Sequence, residues 1–377
     1  MQTIAPTQPP RRPSVDALRG LTMAFMVLVN NPGSWSHVYA PLRHAPWNGC
    51  TPTDLVFPFF LFVVGVSMWL SMGAFTRPTT GPRDREPTRA FWLKLVRRAA
   101  VILVLGLFLN AFPKFDLAHL RLPGVLQRIA VCFALASLLV VFLRPRSLLV
   151  VATLALAAYG YAIWFSGQGA APDANLARTI DLAILGPDHL YRNSPTDPEG
   201  LLSTIPATVS VLLGFGISRL LFRKDRPLTS AHIWRVLALG AALATLGLAL
   251  DPLIPLNKPL WSPSYVLFTA GLATIALTVF SLLIDLGNAR RWFAWLEVFG
   301  RNAMTLFVGS GLLGRLLGTI KLGEGDAARP LNALLYEHAF ASWLGNLNGS
   351  LAYALTMLTL WWCLLWWMNR RGWIWRA

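Results

Sequence analysis

Ten stretches of this chain are apolar over most of the length a helix needs to cross a bilayer, and basic residues separate them. A hydrocarbon core takes about 20 apolar residues in helical form. By that ruler the spans run Ala17 to Asn31, Leu55 to Met72, Ala99 to Phe112 (with a start as early as Phe91), Val125 to Leu143 and Ser147 to Phe165. They continue Leu201 to Phe222, Ile233 to Leu250, Tyr265 to Leu286, Ala303 to Ile320 and Ser350 to Met368. Only 13% of the 377 residues are charged and 55% are hydrophobic, with a mean hydropathy of +0.52. A soluble domain carries about 25% charged residues, so half the usual polar covering is missing, and a bilayer removes the need for it. The expected fold is all-α: a polytopic integral membrane protein of about ten transmembrane helices. It forms one domain over residues 1–377, with 1–13 a disordered tail.

The placement of Lys and Arg gives the expected sidedness. With the N-terminus in the cytoplasm, cytoplasmic segments hold 21 of them and the opposite segments only Arg43, Lys114, Arg121, Arg178, Arg192, Lys258, Lys321 and Arg329. Cytoplasmic loops carry such an excess, and an odd number of helices would break the alternation, so both termini are expected inside. The net charge of +16 then reads as basic loops at an anionic lipid face. The basic residues form no single stripe, which argues against nucleic acid. Arg11 and Arg12 before the first apolar run resemble a signal peptide, but Asn30-Asn31-Pro32-Gly33 follows where a small-residue cleavage site would stand, so the helix is retained. Cys50, Cys132 and Cys363 are far apart and show neither metal-ligand spacing nor a disulfide framework.

Charged and amide side chains in or beside membrane helices are costly and mark function. Asp16 and Arg19 share a helical face at i,i+3. They read either as a charge-paired helix start or as a cytoplasmic mouth where Arg19 meets phosphate. The richest segment is the outer hairpin from Asn30 to Phe60, which holds Asn30, His44, Trp47, Asn48, Thr53 and Asp54. Thr53 or Asp54 can cap the second helix. His44 suits general-base chemistry or transient acyl transfer, with Asn30 or Asn48 to orient the ring or polarise a carbonyl. Further in are Asn110, Gln127 and Arg128; a buried arginine needs an acidic partner or an anionic ligand, and Asp54, Asp197 and Glu199 are the candidates by topology. Another outer loop sets Asn257 and Lys258 beside Trp261, a mixture suited to carbohydrate, although most of the 16 tryptophans read as an interfacial belt. No G-x-x-x-x-G-K-[ST], H-E-x-x-H or G-x-S-x-G element occurs, so ATP-driven transport and zinc hydrolysis lack their usual signatures. A sugar transporter or permease is the rival reading.

Several segments in order resemble the heparan-α-glucosaminide N-acetyltransferase family of transmembrane acetyltransferases. They are Ser14-Val15-Asp16-Ala17-Leu18-Arg19-Gly20, Asn30, His44-Ala45-Pro46-Trp47-Asn48-Gly49 and Asp54-Leu55-Val56-Phe57-Pro58. Further along come Pro123-Gly124-Val125-Leu126-Gln127-Arg128, Asp197-Pro198-Glu199-Gly200, Pro255 to Ser262 and Gly300-Arg301-Asn302. The resemblance implies transfer of acetyl from cytoplasmic acetyl-CoA to an amino sugar or oligosaccharide across the membrane, with no metal. It implies that His44 is the catalytic histidine, with Asn30 a second active-site position and Asp54 an acidic one. Asp16, Arg19, Gln127 and Arg128 are expected toward the cofactor, with Arg97 and Arg98 as further phosphate candidates. Trp47, Asn48, Asp197, Glu199, Asn257, Lys258 and Trp261 are expected toward the sugar. The chain resembles bacterial members without the large lumenal domain, which implies the inner membrane, a periplasmic acceptor rather than lysosomal heparan sulfate, and a homodimer.

Overall fold

The computed structural model describes residues 12–72, 76–78, 85–223, 227–324 and 328–375. Of the tail expected over 1–13, residues 1–11 lie outside the described residues, and Pro13 already opens the first helix. Every one of the ten apolar stretches is helical. They form α1 (Pro13–Asn30), α2 (Val56–Met72), α3 (Arg89–Ala111), α4 (Val125–Phe142) and α5 (Pro145–Trp164). After α6 (Leu176–Leu185) come α7 (Thr204–Leu221), α8 (Ser230–Leu250) and α9 (Pro263–Phe280), the last continuing as a π-helical turn, Ser281–Leu286. Then follow α10 (Arg290–Arg301), α11 (Ala303–Thr319), α12 (Leu331–Tyr336) and α13 (Ser342–Arg370).

Local chemistry sets many of the ends. Proline opens α1, α5 and α9, where its missing N–H costs nothing. Thr88, Asn175, Thr229 and Ser262 accept a backbone N–H from the first turns of α3, α6, α8 and α9. The start of α1 is held from a distance: the Ser14 hydroxyl donates to Asp285 at 2.6 Å.

Among the described residues, seven helical segments are long and apolar enough to cross a membrane: Pro52–Ser71, Val125–Phe142, Pro145–Trp164, Thr204–Leu221, Ser230–Leu250, Pro263–Leu286 and Leu331–Arg370. Ala303–Thr319 is a shorter apolar helix. The other two stretches, α1 and α3, carry Asp16 and Arg19, and Lys94, Arg97 and Arg98. The architecture is that of an all-α, multi-pass membrane protein.

Three segments expected as loops contain helices; one of them, Lys321 to Gly349, holds α12 and the start of α13. Within Ser166 to Gly200, Asn175 caps α6. Between α9 and α11, α10 is amphipathic and lies against α1. It buries Leu296, Phe299 and Gly300 and turns Trp292 and Trp295 outward. A search for unbroken apolar runs misses α6 and α10, because their apolar residues cover one stripe only.

The closest packing is backbone on backbone. A Cβ on Gly65 of α2 would stand 1.9 Å from the Val211 carbonyl oxygen of α7, and one on Gly214 of α7 would stand 2.0 Å from that of Phe62. The same reciprocity joins α1 to α10: Gly20 faces the Leu296 carbonyl and Gly300 that of Asp16, at 1.9 and 2.0 Å. Between membrane helices, where lipid is as apolar as leucine, such small-residue contacts carry the association. Gly65→Ala should therefore lower stability by about 1–3 kcal/mol, read as a drop in the thermal unfolding midpoint of the detergent-solubilised protein. An unchanged midpoint would contradict the close approach.

Candidate active site

The hairpin between α1 and α2 is folded around one carboxylate. Asp54 lies in a 3₁₀ turn, Pro52–Leu55, that leads into α2. Its Oδ2 accepts the backbone N–H of Ala45 at 3.0 Å and of Thr51 at 3.1 Å, so it caps the turn and pulls in the loop that carries His44. Its Oδ1 lies 2.6 Å from His44 Nδ1 and 3.3 Å from Lys258 Nζ, which is also 3.1 Å from His44 Nδ1. Buried Tyr265 donates its hydroxyl to the Asp54 carbonyl. Asp54 is 2% exposed and His44 51%: the acid is fixed in the protein and the imidazole stands open.

The short contact to a carboxylate places a proton on Nδ1 and leaves Nε2 free to take a proton or attack a carbonyl. Beside the pair, the Cys50 thiol is pushed up to about 12, by burial and then by the charge of Asp54. It is no nucleophile at neutral pH.

His44, Asp54 and Lys258 line a cavity of about 490 Å³, together with Asn30, Trp47, Arg121, Tyr191 and Glu199. Asn30 is the last residue of α1, exposed, and its amide has no hydrogen-bond partner among the described residues. Trp47 is held by its indole N–H, which donates to the Ala170 carbonyl at 3.0 Å. A second cavity of about 440 Å³ shares Asn30, Arg121, Met26, Val125 and Phe307 with the first.

Other expected site residues serve the frame. Asn257 is fully buried; it donates to Asn48 Oδ1 at 3.0 Å and accepts the Leu260 N–H at 2.7 Å. With the Gly49 N–H on the Leu256 carbonyl at 2.7 Å, this ties the hairpin to the α8–α9 loop and sets Lys258 against His44. Trp261 is also fully buried, edge-on to Phe57 and Tyr265, and donates to Ser210 at 3.1 Å. Neither Asn48, Asn257 nor Trp261 lines the cavity.

The acidic partner expected for Arg128 belongs to another arginine. Arg121 takes Asp197 through two bonds, at 3.0 and 2.6 Å, reaches Glu199 as well, and lies 4.4 Å over the Tyr191 ring. Burial opposes its charge; the bond to Asp197 and the charge of Glu199 outweigh that and raise its pKa above the ordinary arginine value. Arg128 points elsewhere. It donates to the Gly200 carbonyl at 2.8 Å and to Ser203, and faces Trp261 at 5.3 Å. Sequence order alone cannot say which of two arginines seven residues apart meets the Asp197–Glu199 turn.

Asp16 and Arg19 lie at the far end of α1. Arg19 donates to Asp16 at 2.8 Å, to Ser67 at 2.7 Å and to the Gly300 carbonyl at 3.2 Å. Fourteen residues separate Asp16 from Asn30, about 21 Å of helix. Near that end, Arg98 and Lys94 line a small cavity of about 40 Å³ with Ser71 and Ser137, and Arg98 Nε is buried without a hydrogen-bond partner among the described residues. Gln127, expected beside Arg19, is at the opposite end, in the wall of the second cavity. Among the described residues, no group of three or more His, Cys, Asp and Glu is placed to hold a metal ion.

A family model described as heparan-alpha-glucosaminide N-acetyltransferase, catalytic, matches residues 11–250. The chain belongs to this acetyltransferase family. The human heparan-alpha-glucosaminide N-acetyltransferase is 31% identical over 80% of this chain and 53% of its own length; the mouse protein is 29% identical over 79% and 53%. The chain thus spans about half the length of these relatives. The matched region includes Asn30, His44, Asp54 and Arg121, while Lys258 reaches the site from beyond it.

Sequence reasoning passed over Arg121, Tyr191 and Arg315. Only Arg315 left a signal, as a single charge within the apolar run Ala303 to Ile320.

The Asp197–Gly200 turn is clamped from behind. Asp181 Oδ1 accepts the Leu201 N–H at 2.8 Å, and a Cβ on Gly200 would stand 1.9 Å from Asp181 Oδ2. Asp181 is fully buried and its Oδ2 has no hydrogen-bond partner among the described residues, so burial raises its pKa to about 6. Its ordinary value is 3.8. Between the two values the unfolded chain releases a proton that the folded chain keeps, so this group's contribution to stability falls as pH rises through that window and is constant above it. Asp181→Asn should remove that fall: in thermal unfolding across the window, the variant should gain on the parent as pH rises. Parallel curves would refute the assignment.

Proposed function

We propose that this protein is a transmembrane acetyltransferase that uses acetyl-CoA to acetylate an amino sugar or glycan at the end of the helix bundle where His44 stands. The observation that carries the reading is the His44–Asp54 pair opening on a cavity that Asn30 also lines, in a chain of this family. At neutral pH a sugar amine is largely protonated and cannot attack until it loses a proton. That first proton goes to solvent before the amine reaches the site. As the neutral amine nitrogen forms a bond to the thioester carbonyl carbon, His44 Nε2 takes a second proton from it, the C–S bond breaks, and the imidazolium gives that proton to the departing sulfur. In the relay variant Nε2 itself takes the acetyl group and the amine then displaces it. In both, Asp54 holds the ring by Nδ1–H and balances its charge, and the Asn30 amide N–H stabilises the developing oxyanion. Lys258 offsets the Asp54 charge and repels an amine that is still protonated.

The same reading assigns the sides. Ten membrane helices with both termini in the cytoplasm put His44 on the outer face of a bacterial inner membrane, and Arg19, Lys94 and Arg98 on the inner face. The unpartnered Arg98 Nε suits a CoA phosphate oxygen there, and the pantetheine arm runs along α1 toward Asn30. Trp47 and Glu199 border the acceptor. Nothing in the family assignment favours the permease reading.

Oriented proteoliposomes given acetyl-CoA and a panel of amino sugars should release free CoA only when an acceptor is present. Accumulation of sugar without CoA release would sink the proposal. His44→Ala should cut turnover by about 10²-fold or more, and Asp54→Asn should cut it less, with both variants still extracting as monodisperse protein. A turnover number unaffected by His44→Ala would remove histidine from the mechanism.

A further inference from the structure

The C-terminal end of α13 carries a face that the described residues leave uncovered. Of the seven long apolar segments, the one that contains α13 has 17% of its apolar window buried, against 28–67% for the others. Leu360, Leu364, Trp366 and Trp367 all stand exposed. The end is nonetheless built rather than frayed. Gly372, at φ +72, closes the helix; its N–H reaches the Asn369 carbonyl, and that of Trp373 reaches the Met368 carbonyl. Fully buried Asn302, between α10 and α11, donates to Asn369 at 3.0 Å and to the Trp373 carbonyl at 3.3 Å, and accepts the Trp375 N–H at 3.2 Å. Trp373 is thereby set edge-on to Trp367, at 5.2 Å.

Two arginines lie on this aromatic surface. Trp362 donates its indole N–H to the Trp295 carbonyl of α10 at 3.2 Å and stacks on Trp366, and the Arg370 guanidinium lies 4.1 Å from the centre of the Trp366 ring. Arg371 stands 5.9 Å from that of Trp367. A guanidinium over a ring keeps its N–H donors at its rim, open to an acceptor. Neither arginine has a carboxylate or a side-chain hydrogen bond among the described residues. No Asp or Glu follows Glu337 in the chain. The one acid of α10, Glu297, is taken up by Arg290 and Arg301 and is 5% exposed. Arginines at the C-terminal end of a helix oppose its dipole, and tryptophans at an interface sit among headgroups of any kind. Here two unpaired cations with no exposed acid beside them also fix the sign of what is bound.

We propose that this face is a binding site for an anionic phospholipid. Arg370 and Arg371 take the phosphate oxygens, Trp366 and Trp367 sit at the level of the glycerol, and the acyl chains run along Leu364 and Leu360. A zwitterionic lipid also brings a phosphate, but its ammonium meets no carboxylate here. The site is at the end of the bundle where Gly300 packs on Asp16, away from His44, and the inference does not rest on the acetyltransferase reading.

Tryptophan quenching by lipids with brominated acyl chains tests this on the full chain in phosphatidylcholine nanodiscs. Bromine quenches an indole on contact, and the part of the signal that Trp366→Phe with Trp367→Phe removes reports this face. In that part, brominated phosphatidylglycerol should reach half of its quenching at a mole fraction about fivefold or more below that of brominated phosphatidylcholine, since each arginine at an anionic surface contributes about fivefold. Arg370→Gln with Arg371→Gln should bring the two lipids to within about twofold. Arg146→Gln with Arg235→Gln, which removes two cations from the starts of α5 and α8, should keep the preference. Equal quenching by the two lipids in the parent, a preference that survives the loss of Arg370 and Arg371, or an equal loss in the Arg146 and Arg235 variant overturns the proposal. So does a preference abolished by inorganic phosphate, which would give the arginines to a free anion. Absence of quenching of these tryptophans by either lipid overturns it as well and would leave the face to a second copy of the chain or another protein.

Discussion

The carboxylate of Asp54 fixes the geometry of the outer end. It accepts two backbone N–H groups from its own hairpin, meets His44 through one oxygen and draws Lys258 in from a loop two hundred residues away. A buried carboxylate with that many donors is tolerated because every lone pair faces a proton or a positive charge. If the acid were lost, the turn before α2, the approach of Lys258 and the orientation of the imidazole would all lose their common anchor. The Asn48–Asn257 contact and the Tyr265 hydroxyl close the same frame from behind.

The parts of the fold that follow from desolvation were legible in the sequence. Each long apolar stretch has one economical form in lipid, because every backbone polar group must be paired within the segment. All ten stretches are accordingly helices. The helices α6 and α10 bury only one stripe, and a bilayer-length window averages such stripes away. The hairpin was legible for a different reason: a histidine, amides and an acid packed among prolines are hard to explain by membrane insertion alone.

What remained hidden depends on which side chains meet across the chain. Arg121 and Arg128 differ in sequence by position only, yet one grips the Asp197–Glu199 turn from the front and the other holds Gly200 from behind. Asn257 and Trp261 have the composition of a sugar site and are instead walled into the protein, while Lys258 between them is turned out to the histidine. A three-residue difference in exposure of this kind is decided by the α8–α9 loop fold, which no local pattern encodes. The second cavity was invisible because it is made largely by absence: Gly106 of α3 and Gly124 before α4 make room for Gln127, and Gly311 and Gly314 of α11 line the facing wall.

The close contact of α1 with α10 has one more consequence. Helix α1 is a continuous rod with Arg19 near one end and Asn30 at the other, and the Gly20–Gly300 contact leaves it no room to slide against its neighbour. The two ends therefore keep a fixed separation, and α1 acts as a gauge. A molecule that touched Arg19 while presenting a reactive atom to Asn30 would be selected by the length of the arm between its charged head and that atom, whatever the head's own fit.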